Sequence, residues 1–506
     1  MIEPFAGILK YKVPPPLSGS PSAGAGKSPV FDTFEGGFYL FITMKRLVVI
    51  LTLLAGCTSR PVLNTSHGLS QDIDLILRDT ILRTATVGIK VLDLQTGETV
   101  YEKNPGKLLL PASNGKIFTA ATALYYLGPW FRTHTDFFAD SEGNLFVKGY
   151  GDMGFTYRDL LYVAEILRQK LEKPPRCIYV DGSYFDSLKI GQGWMWDDLQ
   201  YYYSSRISAL SVDENVVSIF ITPGKSYGFR PEVRTFPSSR FFRIVNEAVT
   251  VSDTDSLKLT VALKPVDGQE VIFVEGQIPG NSVTRRYVRS YDLPEKFFGY
   301  HLGELLSDSF NGCVRETTFV VDSTLDTLLI LPSRPLSELV REMMKWSSNF
   351  KAECILKLTA AELLGPPGSA RKGISLVKRL LDMAGVDTTK FRLVDGSGLS
   401  RYDLVSADII TKLLYLAYRK FSFAPEFLTS MPIGGRDGTL RKRFTEKRVF
   451  VRAKTGTMTS VSSLSGYLET NSGRKLAFSI IINNFIGSVR LAKGIEDRIV
   501  LRLKEL

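Results

Sequence analysis

Histidine is scarce in this chain of 506 residues, which contains only His67, His134 and His301. These three share no metal-ligand spacing, so a histidine-rich metal site and a Ser-His-Asp hydrolase are both disfavoured. Long apolar runs are missing as well, which excludes a polytopic membrane protein. The remaining composition, with 44% hydrophobic and 23% charged residues, is that of an ordinary globular protein and excludes collagen-like, coiled-coil and disordered classes.

The positive charge of the chain lacks clusters. The formal net charge is +11, yet the lysines and arginines are scattered along the sequence. Such a balance fits an anionic surface or polymer and does not point to a nucleic-acid partner.

A segment near the amino terminus has the pattern of an export signal. Met44-Lys45-Arg46 precedes a short apolar run at 47–54, which small residues and Cys57 follow. The run is too short to span a bilayer as a stable helix. The Leu-Ala-Gly-Cys sequence resembles the lipobox of bacterial lipoproteins, which implies a signal peptide at 44–56 and lipidation of Cys57. The alternative is a short buried helix that ends in a free cysteine.

Residues 1–43 do not fit in front of such a signal. They hold six prolines and six glycines and show no hydrophobic periodicity, so we expect a disordered extension upstream of a true start at Met44. Cys57, Cys177, Cys313 and Cys354 are the four cysteines. With Cys57 lipidated in an oxidising envelope, the other three allow one disulfide and a free thiol, or three buried thiols.

Local patterns predict two ends of one domain around a β-rich middle. Alternation at 87–104 predicts a hairpin, and 117–127 reads as a helix that ends at Gly128. Near the other terminus, 465–483 predicts a second hairpin and 489–506 a helix, whereas the middle reads mostly as short strands. We therefore predict a catalytic domain made of 57–132 and 334–506, interrupted by an inserted β-rich region at 133–333.

Three short motifs carry the chemistry. Ser113 and Lys116 form Ser-x-x-Lys at a predicted helix start, where residues three apart share a face and a lysine of lowered pKa can act as a base. Ser347 and Asn349 form Ser-x-Asn in a polar segment between predicted helices, and Lys454-Thr455-Gly456-Thr457 precedes a predicted strand. Taken singly, these motifs are compatible with a helix start, a polar loop and a surface turn.

The order of the three motifs is more informative than any one of them. Together with the stretches at 111–113, 193–198, 395–401 and 435–440, it resembles the class C low-molecular-mass penicillin-binding proteins, the D-alanyl-D-alanine carboxypeptidase/endopeptidase family. The resemblance covers most of 87–495. It implies an α/β (α+β) fold of the penicillin-binding/β-lactamase type, in which helices flank an antiparallel sheet. It implies no metal or organic cofactor.

The resemblance also implies roles for the motif residues. Ser113 would attack the carbonyl between two terminal D-alanines, with Lys116 as proton acceptor. Ser347 and Lys454 would pass a proton to the departing D-alanine. The remaining substrate contacts would come from Asn349, Thr455, Gly456 and Thr457, with the backbone N–H groups of Ser113 and Thr457 as the oxyanion hole.

A side-chain pocket is implied less directly. An acidic residue of the Trp-x-x-Asp segment would face the free ammonium of diaminopimelate, and Asp198 beside Trp196 is our choice. Ser397, Arg401 and Met458 fall on positions that line the same pocket. Equally compatible with the sequence are a core aromatic at Trp196 and a turn or helix cap at Asp198.

Three functions follow as hypotheses. The first, which the resemblance implies, is a serine D-Ala-D-Ala carboxypeptidase that binds penicillin covalently and hydrolyses peptidoglycan stem peptides from a lipid anchor in the periplasm. The resemblance leaves open an additional DD-endopeptidase activity that cuts cross-links. Thr58 after the lipidated cysteine favours the outer membrane. The second is a β-lactamase, which needs a deacylating base, and Glu362 lacks the loop pattern of one. The third is a lipoprotein that binds cell-wall peptide without cleaving it, which intact Ser113 and Lys116 argue against.

Overall fold

The computed structural model describes residues 65–445 and 449–506, which belong to one compact unit. The predicted upstream extension, the signal at 44–56 and the lipidated Cys57 lie outside these residues. Ten helices occur in the described part of the chain: α1 (Thr65–Ile76), α2 (Lys116–Leu127), α3 (Tyr157–Lys170), α4 (Pro294–Leu306), α5 (Leu336–Trp346), α6 (Asn349–Leu364), α7 (Ala370–Met383), α8 (Ala407–Lys420), α9 (Ala424–Ser430) and α10 (Val489–Lys504). None of these helices is long and apolar enough to cross a membrane.

The largest antiparallel sheet joins both ends of the described chain. Its strands are β1 (Thr86–Asp93), β2 (Thr99–Lys103), β15 (Phe450–Met458), β16 (Val461–Glu469) and β17 (Lys475–Asn483). Their order is β15-β16-β17-β1-β2, so the first hairpin pairs with the last strand, with Val91 opposite Phe478. Both predicted hairpins are confirmed.

Helices cover both faces of this sheet. Phe478 and Ile480 pack with Ile499 of α10 on one face, whereas Ala477 and Ile481 belong to a core shared with α8 and the other helices. Because side chains alternate along a strand, β17 is buried over nearly its whole length. This layering is the predicted catalytic architecture.

Three further sheets lie between His134 and Pro332. The first has the order β13-β5-β4-β3-β14, the second β12-β6-β7, and the third β10-β11-β8 with β9 beside β11. Their strands are β3 (His134–Ala139), β4 (Leu145–Gly149), β5 (Ile178–Asp181), β6 (Val216–Thr222), β7 (Glu232–Phe236), β8 (Phe242–Asn246), β9 (Val249–Val251), β10 (Lys258–Val266), β11 (Gln269–Pro279), β12 (Arg285–Ser290), β13 (Val314–Glu316) and β14 (Asp326–Pro332). Together with α3 and α4, these sheets enclose a separate core around Phe137, Ile219 and Phe297.

Of the two cysteine arrangements, the structure has one disulfide and one thiol. Cys177 and Cys313 are bonded, and they tie the start of β5 to the start of β13. Cys354 lies fully buried in α6 as a free thiol. Burial raises the pKa of this thiol well above its usual value, so it packs as a small apolar side chain.

Candidate active site

Ser113 and Lys116 meet at the start of α2. Ser113 lies in a 3₁₀ turn over Ala112–Gly115, and the α-helix itself begins at Lys116. Lys116 Nζ is 3.0 Å from Ser113 Oγ, so the lysine reaches the serine hydroxyl as the motif spacing predicts. The preceding Ala112 has a φ of 48°, a left-handed value that alanine rarely adopts.

Lys116 has no exposed surface, and its amine is held by fixed acceptors. Nζ donates to Asn349 Oδ1 and, at 2.8 Å, to the Ser397 carbonyl. Burial lowers the pKa of Lys116 to about 7, although the negative charges of Asp395 and Glu353 oppose that shift. Near neutral pH the amine is therefore partly unprotonated and can accept a proton.

A second lysine–serine pair faces the same site. Ser347 ends α5 with a φ of 63°, and its hydroxyl lies 2.8 Å from Lys454 Nζ on β15. Lys454 is fully buried, and burial together with the charge of Lys116 holds its pKa well below the usual value. Protonation of Lys454 is therefore disfavoured both by burial and by the neighbouring Lys116 charge.

Asn349 connects the first lysine to a loop. While its Oδ1 accepts from Lys116, its Nδ2 donates to the Tyr203 carbonyl at 2.7 Å. This amide therefore links the amine of Lys116 to the loop that contains Tyr203. The adjoining Ser348 caps α6 by accepting from the Lys351 N–H, and it donates to Glu214 at 2.7 Å.

Glu214 reaches Ser348 from an unusual turn. Asp213, Glu214 and Asn215 have φ values of 47°, 57° and 57°, three consecutive left-handed residues that are not glycine. Each such residue costs on the order of 1–3 kcal/mol, so surrounding contacts must hold the turn in place. The Glu214 carboxylate also pairs with Lys351 Nζ at 3.2 Å.

The Lys454–Thr457 motif precedes strand β16, as predicted, but it also lies inside a strand of its own, which the sequence did not indicate. It is part of β15, an edge strand of the main sheet, and Thr455 Oγ1 donates to Thr439 Oγ1 at 2.8 Å. A Cβ added at Gly456 would lie 2.8 Å from the Pro111 carbonyl oxygen and 3.0 Å from the Ser113 nitrogen. The glycine therefore lets β15 press against the backbone of Ser113, while Thr457 stays exposed.

The predicted pocket residues fall into two groups. Trp196 is 83% exposed, which excludes a core role for its ring, and Asp198 accepts the Tyr203 hydroxyl at 2.7 Å. Arg401 contacts the segment before Trp196, because its backbone N–H donates to the Gly193 carbonyl. Its guanidinium donates to the carbonyl of Thr459, the residue that follows the half-buried Met458. Arg401 thus connects the backbone at Gly193 with the backbone at Thr459.

Ser397 differs from the prediction. Its side chain has no exposed surface, and its hydroxyl donates to Asp395 Oδ2 at 3.0 Å instead of facing a pocket. Its backbone carbonyl instead holds Lys116. The residue therefore lies beneath the site in this structure.

Two residues of the site were missed by motif reasoning. Glu353 is fully buried on α6 and accepts the N–H groups of Gly396 and Ser397. Its position four residues after Asn349, on the same helix face, is the signal that points to it. Thr439 lies in the 435–440 stretch that resembles the family, but nothing in the sequence indicates its hydrogen bond to Thr455.

The architecture and the paired serines and lysines define a serine acyl-transfer enzyme of the penicillin-binding fold. Residues 69–506 match the D-Ala-D-Ala carboxypeptidase 3 (S13) family. The chain belongs to this family, as predicted, and is a serine peptidase of the hydrolase class.

Curated relatives and solved structures agree with this assignment. The chain is 35% identical over 462 residues to the D-alanyl-D-alanine carboxypeptidase of Actinomadura sp. strain R39, a match that covers 86% of this chain and 84% of the relative. It is 27% identical over 434 residues to the D-alanyl-D-alanine carboxypeptidase DacB of Haemophilus influenzae, which covers 79% and 86%. The crystal structure of penicillin-binding protein 4 from H. influenzae matches with a TM-score of 0.74 at 23% identity, over 86% of this chain and 99% of that one. The predicted fold class is confirmed.

Proposed function

We propose that this protein is a D-Ala-D-Ala carboxypeptidase that hydrolyses peptidoglycan stem peptides through an acyl-enzyme on Ser113. The observation that carries the proposal is the facing arrangement of two serine–lysine pairs, Ser113 with Lys116 and Ser347 with Lys454. Such pairs supply a nucleophile with its base and a proton relay for the leaving group, with no histidine required.

Acylation begins with a proton transfer from Ser113. Unprotonated Lys116 accepts the hydroxyl proton while Oγ attacks the carbonyl carbon between the two terminal D-alanines. The developing oxyanion accepts hydrogen bonds from the N–H groups of Ser113 and Thr457. The close approach of β15 to the Ser113 backbone at Gly456 supports this assignment. The result is a tetrahedral intermediate bound to Ser113.

Collapse of that intermediate needs a proton on the departing amine. Ser347 is placed to donate its hydroxyl proton to the D-alanine nitrogen and to be reprotonated by Lys454, from which it is 2.8 Å away. Release of D-alanine leaves an ester on Ser113. The proton that Lys116 took from Ser113 then replaces the one that Lys454 gave to Ser347, which leaves Lys116 unprotonated again. Water attacks the ester with Lys116 as the base, and Lys116 returns this proton to the Ser113 oxygen, which restores the free enzyme.

Recognition of the substrate is assigned to the rim of this site. The hydroxyls of Thr455 and Thr457 are suited to the terminal carboxylate, and the side-chain amide of Asn349 to a peptide carbonyl. We assign the stem-peptide side chain to the rim formed by Trp196, Asp198, Arg401 and Met458. An exposed aromatic ring beside a carboxylate suits an alkyl chain that ends in an ammonium.

Covalent binding of β-lactams follows from the same chemistry. The crystal structure of penicillin-binding protein 4 from H. influenzae in complex with a novel β-lactam, at 20% identity and a TM-score of 0.67, supports this proposal. Fast β-lactam turnover would need a separate deacylating base. Glu362 is 13 residues beyond Asn349 on α6, roughly 20 Å along the helix axis, and it is bonded to the Tyr184 hydroxyl, which disfavours the β-lactamase alternative.

The place of action is the cell envelope, where the substrate lies. The export pattern at 44–56 and Cys57 support a lipid-anchored periplasmic protein, with Thr58 favouring the outer membrane. A Cys57→Ser variant is expected to move from the membrane fraction to the soluble fraction, and retention in the membrane would contradict the lipid anchor. We also propose a DD-endopeptidase activity on cross-linked peptides, which the exposed side chain of Trp196 supports.

The decisive test is intact-protein mass spectrometry of the purified protein with benzylpenicillin, beside Ser113→Ala. We expect one stable adduct that is absent in the variant, followed by release of D-alanine from muropeptides by the unmodified protein. Rapid drug hydrolysis without an adduct would support the β-lactamase. Neither an adduct nor hydrolysis would leave only a peptide-binding role and would overturn the catalytic proposal.

A further inference from the structure

The carboxylate of Glu353 lies beneath the site and takes no part in the acylation and deacylation steps. Glu353 has no exposed surface, and burying a carboxylate is costly unless charges and hydrogen bonds compensate for it. Its Oε1 accepts the N–H of Gly396 at 3.0 Å and that of Ser397 at 2.9 Å. The Gly396 N–H also lies 3.0 Å from Oε2.

These contacts connect Glu353 to the candidate base. Ser397, whose N–H is held by Glu353, offers its carbonyl to Lys116 Nζ at 2.8 Å. One helical turn earlier on α6, Asn349 holds the same amine directly. Helix α6 therefore fixes Lys116 from two points, directly through Asn349 and indirectly through the Gly396–Ser397 backbone.

We propose that Glu353 is a positioning residue for Lys116: it fixes the carbonyl that orients the amine, and its negative charge tunes the pH at which Lys116 becomes a base. The proposal rests on the proposed function, because it assigns Lys116 the role of proton acceptor. It gives Glu353 no contact with substrate.

The charged groups around Glu353 determine how strongly its negative charge acts on the pKa of Lys116. The titratable groups around Lys116 and Glu353 come from three elements: Glu353 and Lys357 on α6, Asp395 and Asp403 in the loop before α8, and Lys454 on β15. Burial and the nearby charge of Asp395 hold the pKa of Asp403 well above its usual range. Burial and the nearby Asp395 raise the pKa of Glu353 to about 7, so its charge changes in the range where Lys116 titrates.

Hydrogen bonding and charge at Glu353 can be separated by substitution. Because Oε1 accepts both N–H groups, the oxygen of a glutamine at the same place keeps these two hydrogen bonds and removes the charge. Its NH2 group replaces Oε2, so the additional contact of that oxygen with the Gly396 N–H is lost as well. Aspartate keeps the charge but is one methylene shorter, so it loosens the hold on Ser397. Glu362→Gln is the matched control, since Glu362 lies on the same helix and is bonded to Tyr184.

The test measures the rate of acylation by benzylpenicillin from pH 5 to pH 9 for the unmodified protein, Glu353→Gln, Glu353→Asp and Glu362→Gln. Without the opposing negative charge the pKa of Lys116 falls, so the acid limb in Glu353→Gln is expected to move to lower pH. The shift should be about half a pH unit, because Glu353 in the unmodified protein is itself only partly ionised in that range. Glu353→Asp is expected to keep the limb and to acylate about tenfold more slowly. Glu362→Gln is expected to match the unmodified protein.

The electrostatic part of the proposal would be overturned if the acid limb of the pH profile did not move in Glu353→Gln. It would also be overturned if the limb moved equally in Glu353→Gln and in Glu362→Gln. Acylation of Glu353→Asp at the unmodified rate would overturn the positioning part, and this measurement stands if the glutamine variant does not fold. Failure of benzylpenicillin to acylate the unmodified protein would instead refute the proposed function itself. The two proposals therefore fail by different observations.

Discussion

The contact between β15 and the backbone of Ser113 makes Gly456→Ala an informative perturbation. The added Cβ would lie 2.8 Å from the Pro111 carbonyl oxygen and 3.0 Å from the Ser113 nitrogen, and it would also meet Ser463 Oγ. The serine hydroxyl can rotate away, although it then gives up its hydrogen bond to Pro111. The two backbone atoms cannot rotate, so β15 and the Ser113 turn must separate.

The size of that separation sets the expected effect. A carbon–oxygen contact of about 3.3 Å requires a shift of roughly 0.5 Å. A misplacement of about 1 Å in an active site lowers the rate roughly 100-fold, and loss of one oxyanion donor lowers it about 10²–10³-fold. We therefore expect acylation of Gly456→Ala by benzylpenicillin to be about 10- to 100-fold slower, with a loss of about 1–3 kcal/mol in the free energy of unfolding.

The assay is the second-order acylation rate constant from a quenched time course, with urea denaturation measured in parallel. Gly494→Ala is the matched control, because a Cβ there meets nothing within 4 Å and the residue lies in the middle of α10. It should leave acylation unchanged and add about 0.5–1 kcal/mol to the free energy of unfolding. Acylation of Gly456→Ala at the unmodified rate would refute the idea that β15 and Ser113 form one rigid oxyanion site.

Three further predictions address the base, the disulfide and the pocket. Protonated Lys116 cannot accept the Ser113 proton, and its pKa is about 7, so the acylation rate should rise about tenfold per pH unit below pH 7 and level off above it. A flat pH profile would contradict Lys116 as the base. Replacing Cys177 and Cys313 together by serine opens a crosslink between residues 136 apart and should cost about 2–5 kcal/mol in urea unfolding, and an unchanged midpoint would count against a stabilising bond. Asp198→Asn should raise the KM about tenfold for peptides with a free side-chain ammonium and not for their acetylated forms, and equal values for both would remove Asp198 from the pocket.

Local chemistry explains why the motif residues and the hairpins could be predicted. A lysine three residues after a serine at a helix start reaches the hydroxyl whatever the rest of the chain does. Strand alternation around Gly97 and Gly473 likewise indicates the two hairpins that the structure contains. Pairing of β1 with β17 joins distant parts of the chain, and no local pattern contains that information.

The failures of prediction have equally local causes. Polar residues and a glycine have low strand propensity, so Lys454–Thr457 did not read as a strand, although the site requires those residues on β15. Ser397 lies in a loop, where no periodicity tells a buried side chain from an exposed one. Glu353 escaped notice because its importance depends on the Gly396–Ser397 backbone, which reaches it only in the folded protein.

The left-handed turn at Asp213–Asn215 has a consequence for how this protein can be shortened. Glu214 accepts the hydroxyl of Ser348, and the nearby Tyr203 carbonyl accepts the amide of Asn349, so residues from the β-rich middle complete the Ser-x-Asn segment. Excising 133–333 would remove both acceptors and leave Lys351 without one of its carboxylate partners. The catalytic halves are therefore not a self-sufficient minimal enzyme, and any trimmed version must retain this turn and loop or replace their oxygen atoms.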